Sequence, residues 1–214
     1  IIKFYIVKEL FIIIIFASLT NSVYSSLNPL DWFNPDSANK IIKIDNTEEI
    51  NANKLVLEAK KKKEKGKIWS AQRIYKDILL KYPKIDAAGD IAYERGIYLY
   101  EQNKWIDAFS AFTIIKEFHP DHPKLNEVIE LQYNCAEKTM LLERKKTLGI
   151  FAPDPLNMEA TPLFISFADL YPFNKKTPLA LLNASKICIA CGELELAIQT
   201  LKELINKYPK SNVS

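Results

Sequence analysis

A stretch that occurs four times constrains the fold of this chain most. The first copy, Gly66–Pro83, reads GKIWSAQRIYKDILLKYP, and the others are Asn103–Pro120, Leu156–Pro172 and Gly192–Pro209. Each copy has an Ala, an apolar or aromatic residue four positions later, another three positions after that, and a Pro twelve after the Ala. Because offsets of 0, 4 and 7 fall on one face of an α-helix, the pattern predicts four helices that each bury one face.

The aligned positions hold similar side chains in all four copies. The small residues are Ala71, Ala108, Ala160 and Ala197. The positions four later are Tyr75, Phe112, Phe164 and Leu201. The Ala-to-Ala spacings are 37, 52 and 37 residues, and the Pro ends each helix because it lacks an N–H and clashes with the preceding turn. A period in the thirties predicts an all-α solenoid of about four helix pairs.

A partner helix is expected before each repeated helix, to complete the pairs. The expected ranges are Thr47–Lys65, Asp86–Gln102, Pro123–Lys146 and Thr177–Cys191. In the first of them Leu55 and Ala59 should face inward, and in the second Gly96 should let the two helices approach closely, at some cost in helix propensity. The longer third helix, with a Pro-containing connection after it, would explain the step of 52 residues.

The N-terminus has the order of a secretory signal peptide. Lys3 and Lys8 precede Leu10–Leu19, an uncharged apolar run too short to span a bilayer comfortably, and Thr20–Ser26 is polar with small residues. We expect a signal peptide over residues 1–25; an uncleaved membrane anchor, lengthened by the Ile-rich start, is the alternative. Either interpretation puts the body of the protein outside the cytoplasm.

Two further regions follow the signal peptide: an extended entry arm over residues 26–46 and the repeat domain over residues 47–212. Turns at Asn28-Pro29 and Asn34-Pro35 are typical of an extended segment. Trp32 and Phe33 could cover the apolar edge of the first helix pair or bind a partner.

The repeats resemble a known family. The residues that carry the resemblance to the tetratricopeptide repeat are Gly66, Ala71, Tyr75 and Pro83, then Gly96, Trp105, Ala108, Phe112 and Pro120. The phrases IYKDILLKYPK and FADLYP and the AFxxIxxFHPxHP junction are similar to the BamD-like family of outer-membrane lipoproteins, over about Asn51 to Pro209. That family carries a Cys directly after its signal peptide, whereas the first Cys here is Cys135, so lipid attachment at that point is not expected.

The resemblance implies a non-enzymatic scaffold in the periplasm or at the periplasmic face of the outer membrane. It would bind proteins of the outer-membrane β-barrel assembly machinery or other envelope proteins, with peripheral membrane association left open. A repeat adaptor that coordinates peptidoglycan and division complexes is the alternative within the same class.

In such an array, the first helices of the pairs line a concave groove. The groove residues expected here are Lys60, Lys63, Tyr93, Ile97, Tyr100 and Lys186, together with Val56, Leu182 and Ile189. Tyr93, Ile97 and Tyr100 form one helical stripe that suits recognition of a peptide, or else packs against the neighbouring repeat. The lysines could steer an acidic segment toward the groove.

Other motifs carry weaker signals of chemistry. The net charge of +3 does not suggest nucleic acid, and the run Lys60–Lys63 is interpreted as a solvated helix face, with an anionic-partner patch as the alternative. Cys188 and Cys191 form a CxxC at the end of an apolar helix, and His119 and His122 lie in an HPDHP junction. The two cysteines are interpreted as core residues and the two histidines as part of a turn. A redox or metal-binding protein built on these residues is the third hypothesis. Without a catalytic motif, no enzyme activity, cofactor or metal is expected.

Overall fold

The computed structural model describes residues 46–142 and 156–213. The expected signal peptide, most of the entry arm and the Pro-containing connection lie outside these residues. The described part of the chain consists of eight α-helices and turns, without a strand, which confirms the all-helical prediction. The helices are α1 (Asn46–Glu64), α2 (Ile68–Lys81), α3 (Asp86–Glu101), α4 (Trp105–Phe118), α5 (Leu125–Met140), α6 (Ala160–Leu170), α7 (Thr177–Ala190) and α8 (Leu194–Lys207). None of these helices has the length and apolar character needed to cross a membrane.

Successive helices pack against each other along the described chain. Each helix contacts the next one along the described chain, and α4 also contacts α6. The turns within the pairs α1–α2, α3–α4 and α7–α8 are only three residues long, so the helices of each pair run antiparallel. This arrangement of stacked hairpins is compatible with a helical repeat.

The three short hairpins close with the same turn. The backbone is left-handed at Gly66 (φ 70°), Asn103 (φ 57°) and Gly192 (φ 83°). In the first hairpin the N–H of Lys67 donates to the carbonyl of Lys62 at 2.9 Å, and the N–H of Gly66 donates to the carbonyl of Lys63 at 2.9 Å. These are the two hydrogen bonds of a Schellman motif, which needs a residue with positive φ and therefore favours Gly or Asn.

The repeated residues lie between the helices of the pairs. The four aligned alanines are at most 2% exposed, at Ala71, Ala108, Ala160 and Ala197. Tyr75, Phe112 and Phe164 are also buried, whereas Leu201 in α8 stays partly exposed beside a cluster of Ala168, Leu181 and Leu204. Gly96 in α3 is buried against the ring of Phe112 in α4, so the two helices approach closely there.

Two details differ from the sequence-based expectations. The buried stripe of α1 is Ala52, Val56 and Ala59, while Leu55 is only half-buried. Ala59 is fully buried, as predicted, but the buried face of α1 is centred nearer to Val56, at 7% exposure, than to Leu55, so Val56 lies in the core and not in a groove. Neither residue is polar, so the pattern alone could not separate the two orientations.

Helix α5, the first helix of the third pair, is also shorter than predicted. It ends at Met140, six residues before Lys146, and the N–H of Asn157 donates to the carbonyl of Met140 at 3.1 Å. The last carbonyl of α5 is thus satisfied by a residue that lies beyond the connection, a pairing over a long sequence separation that local propensity does not encode.

A buried polar network joins α4, α5 and the end of α6. The side-chain amide of Gln132, fully buried in α5, donates to the hydroxyl of Thr113 at 3.0 Å and to the carbonyl of Phe109 at 3.2 Å. Its oxygen accepts a hydrogen bond of 2.5 Å from the hydroxyl of Tyr171. Because a buried amide is costly when unpaired, this network fixes how the second and third pairs sit against each other.

Candidate partner-binding face

The first helices of the pairs, α1, α3, α5 and α7, are linked side by side through polar and aromatic contacts. Between α1 and α3, the ammonium of Lys63 lies 2.8 Å from a carboxylate oxygen of Glu94, and this hydrogen bond raises the pKa of Lys63. Both side chains are more than a third exposed, so the pair is screened by solvent and orients the helices more than it stabilises them. Lys60, one turn earlier, is exposed.

Between α3 and α5, Tyr93 and Glu127 form the central contact. The hydroxyl of Tyr93 donates to Glu127 at 2.8 Å, and the ammonium of Lys124 lies 3.3 Å from the other oxygen of the same carboxylate. Burial, helped by the Glu127 hydrogen bond, raises the pKa of Tyr93 to about 12, so its hydroxyl remains a donor at neutral pH. The hydrogen bonds from Tyr93 and Lys124 lower the pKa of Glu127.

Tyr100, the other tyrosine of the stripe, also contacts α5. The ammonium of Lys138 lies 5.6 Å from the ring centroids of both Tyr100 and Trp105, a distance at which a cation is attracted to an aromatic ring. Tyr93, Ile97 and Tyr100 nevertheless all remain partly exposed. The tyrosines of this stripe therefore contact the neighbouring helix, its outer surface stays open to solvent, and recognition of a peptide by it stays a prediction.

Tyr133 of α5 contacts both the α6–α7 turn and α7. The ammonium of Lys176 lies 4.5 Å from the Tyr133 ring centroid and 2.5 Å from a carboxylate oxygen of Glu130. The amide of Asn183 donates to the Tyr133 hydroxyl at 3.3 Å, and desolvation by burial raises the pKa of that hydroxyl. All four first helices are thus joined into one layer.

At the α7 end of this layer, the three expected groove residues differ in exposure. Lys186 and Ile189 are exposed, whereas Leu182 packs against the apolar cluster of α7 and α8. Lys186 and Ile189 are therefore the α7 positions open to a partner.

Sequence reasoning missed the partners that α5 and the α6–α7 turn supply to this layer, namely Glu127, Glu130, Lys138 and Lys176. Only Lys124 and Glu127, three residues apart, form a pair that the helical spacing could have indicated. By contrast, Tyr93 and Glu127 are 34 positions apart, and Lys176 and Glu130 are 46 positions apart. No local pattern marks such pairs.

Two of the three cysteines lie in the core. Cys135 and Cys188 are buried, and burial raises the pKa of the Cys135 thiol to about 12 and also raises that of Cys188. The sulfur of Cys188 lies 4.0 Å from the Thr161 hydroxyl, and that of partly exposed Cys191 lies 3.6 Å from the Leu156 carbonyl. A reactive cysteine needs a lowered pKa, and Cys135 and Cys188 have the opposite.

The two histidines of the HPDHP junction hold the α4–α5 turn against the preceding hairpin. A ring nitrogen of His119 lies 2.8 Å from the carbonyl of Pro83, and one of His122 lies 3.2 Å from a carboxylate oxygen of Asp90 in α3. Both rings approach Gly89. Within the described ranges, His, Cys, Asp and Glu form no group of three or more that could hold a metal ion.

Comparison with known proteins does not place the chain in a family. No protein-family model matches the sequence, and no curated protein is significantly similar to it. The helical architecture and the contacts of the first-helix layer are therefore the physical basis for a functional proposal.

Proposed function

We propose that this chain is a tetratricopeptide-type scaffold of the cell envelope that binds protein partners on the face formed by α1, α3, α5 and α7. In this proposal the protein is exported and acts at the periplasmic side of the outer membrane, in the assembly of β-barrel proteins. It has no catalytic role and presents a surface to other proteins.

The observation that carries the proposal is the state of the Tyr93–Ile97–Tyr100 stripe. Its aromatic rings are held by Glu127, Lys124 and Lys138 of the neighbouring helix but remain partly open to solvent. Tyrosines fixed in this way lose little conformational freedom when a ligand docks, and Tyr is enriched at sites that contribute strongly to binding.

The chemistry of the face favours a peptide with apolar anchors and mixed charge. Ile97 and Ile189 offer apolar surface, while Lys60 and Lys186 lie near the two ends of the layer and could pair with acidic residues. A peptide segment of an envelope protein meets these requirements, and the resemblance to BamD-like proteins supports a component of the barrel-assembly machinery as its source.

Photo-crosslinking in envelope membranes would test the proposal. A photoreactive amino acid is introduced at Ile97, at Lys186 and, as a control, at the exposed Gln199 of α8. A barrel-assembly subunit is expected to crosslink from Ile97 and Lys186 but not from Gln199. Crosslinks to peptidoglycan-associated or division proteins would favour the adaptor hypothesis, and crosslinks from Gln199 alone would show that the binding face is elsewhere.

A matched pair of substitutions would test the face once a partner is identified. Ile97→Asp is expected to weaken binding about tenfold, since it puts a charge into the aromatic stripe. Ile198→Asp makes the same change on an exposed position of α8 and should leave affinity unchanged. Circular dichroism of both variants shows whether helix content is retained; equal affinity of both folded variants would contradict the proposal.

A further inference from the structure

The tip of the first hairpin, residues 61–69, is strongly basic and exposed. All seven residues from Lys63 to Trp69 are exposed, and Trp69 itself is 67% exposed. With Arg73 one turn into α2, the basic residues are Lys61, Lys62, Lys63, Lys65, Lys67 and Arg73, against a single acidic residue, Glu64. We call residues 61–69 together with Arg73 the basic tip.

Three of these lysines have no ion-pair partner among the described residues. Lys63 pairs with Glu94, and Lys62 lies 4.0 Å from Glu58. In the part of the chain that the structure describes, Lys61, Lys65 and Lys67 form no ion pair. Their charges are therefore available to an external anion.

The fold does not require this charge, because the α7–α8 hairpin makes the same turn without it. Gly192 takes the place of Gly66, and the N–H of Glu193 donates to the carbonyl of Cys188 at 2.8 Å, as Lys67 does to Lys62. In the aligned register, Glu193 replaces Lys67. The same turn thus forms with an acidic residue at the position that carries Lys67 in the basic tip.

Helix electrostatics explain only part of the charge. Lys61, Lys62 and Lys63 lie in the last turn of α1, where cations are favoured by the helix dipole. Lys67 is the N-cap residue of α2, where a cation is disfavoured by the same effect. The helix dipole therefore does not account for the charge at Lys67, nor for the other lysines at N-cap positions, Lys104, Lys124 and Lys176.

Packing within the protein does not account for Trp69, the aromatic residue of the basic tip. The guanidinium of Arg73 lies 5.8 Å from the Trp69 ring, but most of the ring is in solvent. Ile68 beside it is also exposed, and the position aligned with Trp69 in the last repeat is Glu195. Exposed Trp beside several lysines is typical of segments that bind the interface of an anionic membrane.

We propose that the basic tip docks on the surface of an anionic lipid bilayer. Lys61, Lys65 and Lys67 contact lipid phosphates, and Trp69 and Ile68 enter the headgroup region. Lysines beside an exposed Trp suit the anionic bilayer interface, because cations are attracted to lipid phosphates and Trp is favoured at the headgroup level. This inference goes beyond the proposed function and does not depend on it, since the partner is a lipid surface and the residues that contact it, Lys61, Lys65, Lys67, Ile68 and Trp69, are not those that form the α1–α3–α5–α7 face.

Vesicle binding of the full chain tests the proposal. Sedimentation with phosphatidylcholine vesicles is compared with sedimentation on vesicles that contain about 30% phosphatidylglycerol, an anionic lipid. The variants are Lys65→Gln/Lys67→Gln and, as a control with the same charge change, Lys175→Gln/Lys210→Gln at exposed positions elsewhere. The apolar run near the N-terminus is present in every variant, so differences between variants report the basic tip.

We expect stronger binding to anionic vesicles, with a loss of about fivefold in partition coefficient for each lysine removed from the basic tip. Trp69→Ser should lower the partition coefficient about tenfold relative to the unchanged protein. The control pair Lys175→Gln/Lys210→Gln should change it little. Equal binding to both vesicle types, or an equal loss in the control pair, would overturn the proposal. Binding of a polyglutamate peptide through Lys65 and Lys67, without binding to anionic vesicles, would also overturn it.

Discussion

Gly96→Ala tests how closely α3 and α4 approach each other. A Cβ at Gly96 would lie 2.3, 2.6 and 2.7 Å from three ring atoms of Phe112. Non-bonded carbons prefer about 3.5 to 4.0 Å, so the ring or a helix must move. Phe112 is fully buried, and its ring can move only by displacing its neighbours.

Two opposing effects determine the size of the change. Ala in place of Gly inside a helix stabilises by about 1 kcal/mol, because it restricts the unfolded chain. Overpacking of a buried site costs about 1–3 kcal/mol and more where backbone must shift. Since three ring atoms are closer than any ordinary contact, we expect the steric effect to win and stability to fall by about 1–2 kcal/mol.

Urea unfolding followed by circular dichroism measures this change. Gly89→Ala is the matched control in the same helix: the atoms nearest to its Cβ would be side-chain atoms of His119 and His122 at 3.1–3.4 Å, so its free energy of unfolding should change little. In a Phe112→Leu background, which lacks two of the three contacting atoms, Gly96→Ala should be about neutral. If Gly96→Ala stabilised the protein in the wild-type background, with an unchanged dependence of the free energy of unfolding on urea concentration, the close approach of α3 and α4 would be refuted.

Two other predictions follow from buried groups. Tyr171→Phe removes the hydrogen bond to the buried oxygen of Gln132 and should cost about 1–3 kcal/mol in urea unfolding; the double variant with Gln132→Leu should cost less than the sum of the single changes, and additivity would contradict the pairing. In thiol labelling of the native protein at pH 8, Cys191 should react first, because it is partly exposed. Cys135, whose pKa burial raises to about 12, should react only after denaturant is added; rapid labelling of Cys135 would show that α5 is open.

The repeated helices were predictable because their signal is local. Ala71, Tyr75 and Pro83 define one buried face and one helix end within a single stretch, and such patterns do not depend on the rest of the chain. The Gly66 and Gly192 turns are also local, since a positive φ favours Gly whatever surrounds it. The prediction that Gly96 lies where two helices meet rested on the same kind of argument.

The contacts between repeats were not predictable in this way. The orientation of α1, which buries Val56 and leaves Leu55 half-buried, depends on what α2 presents to it, and two adjacent apolar residues gave no basis for a choice. The contact of Tyr93 with Glu127 depends on how two helix pairs stack. Such contacts require the helices to be placed in three dimensions first.

The sequence by itself thus determined the helices, their repeated buried faces and the turns that close the hairpins, because each depends on neighbours within about one or two helical turns. Only the tertiary structure decided which side chains of α3 and α5 meet, how Gln132 is satisfied, and which residues stay exposed. The physical reason is that burial and pairing are properties of two surfaces, and one sequence segment specifies only one of them.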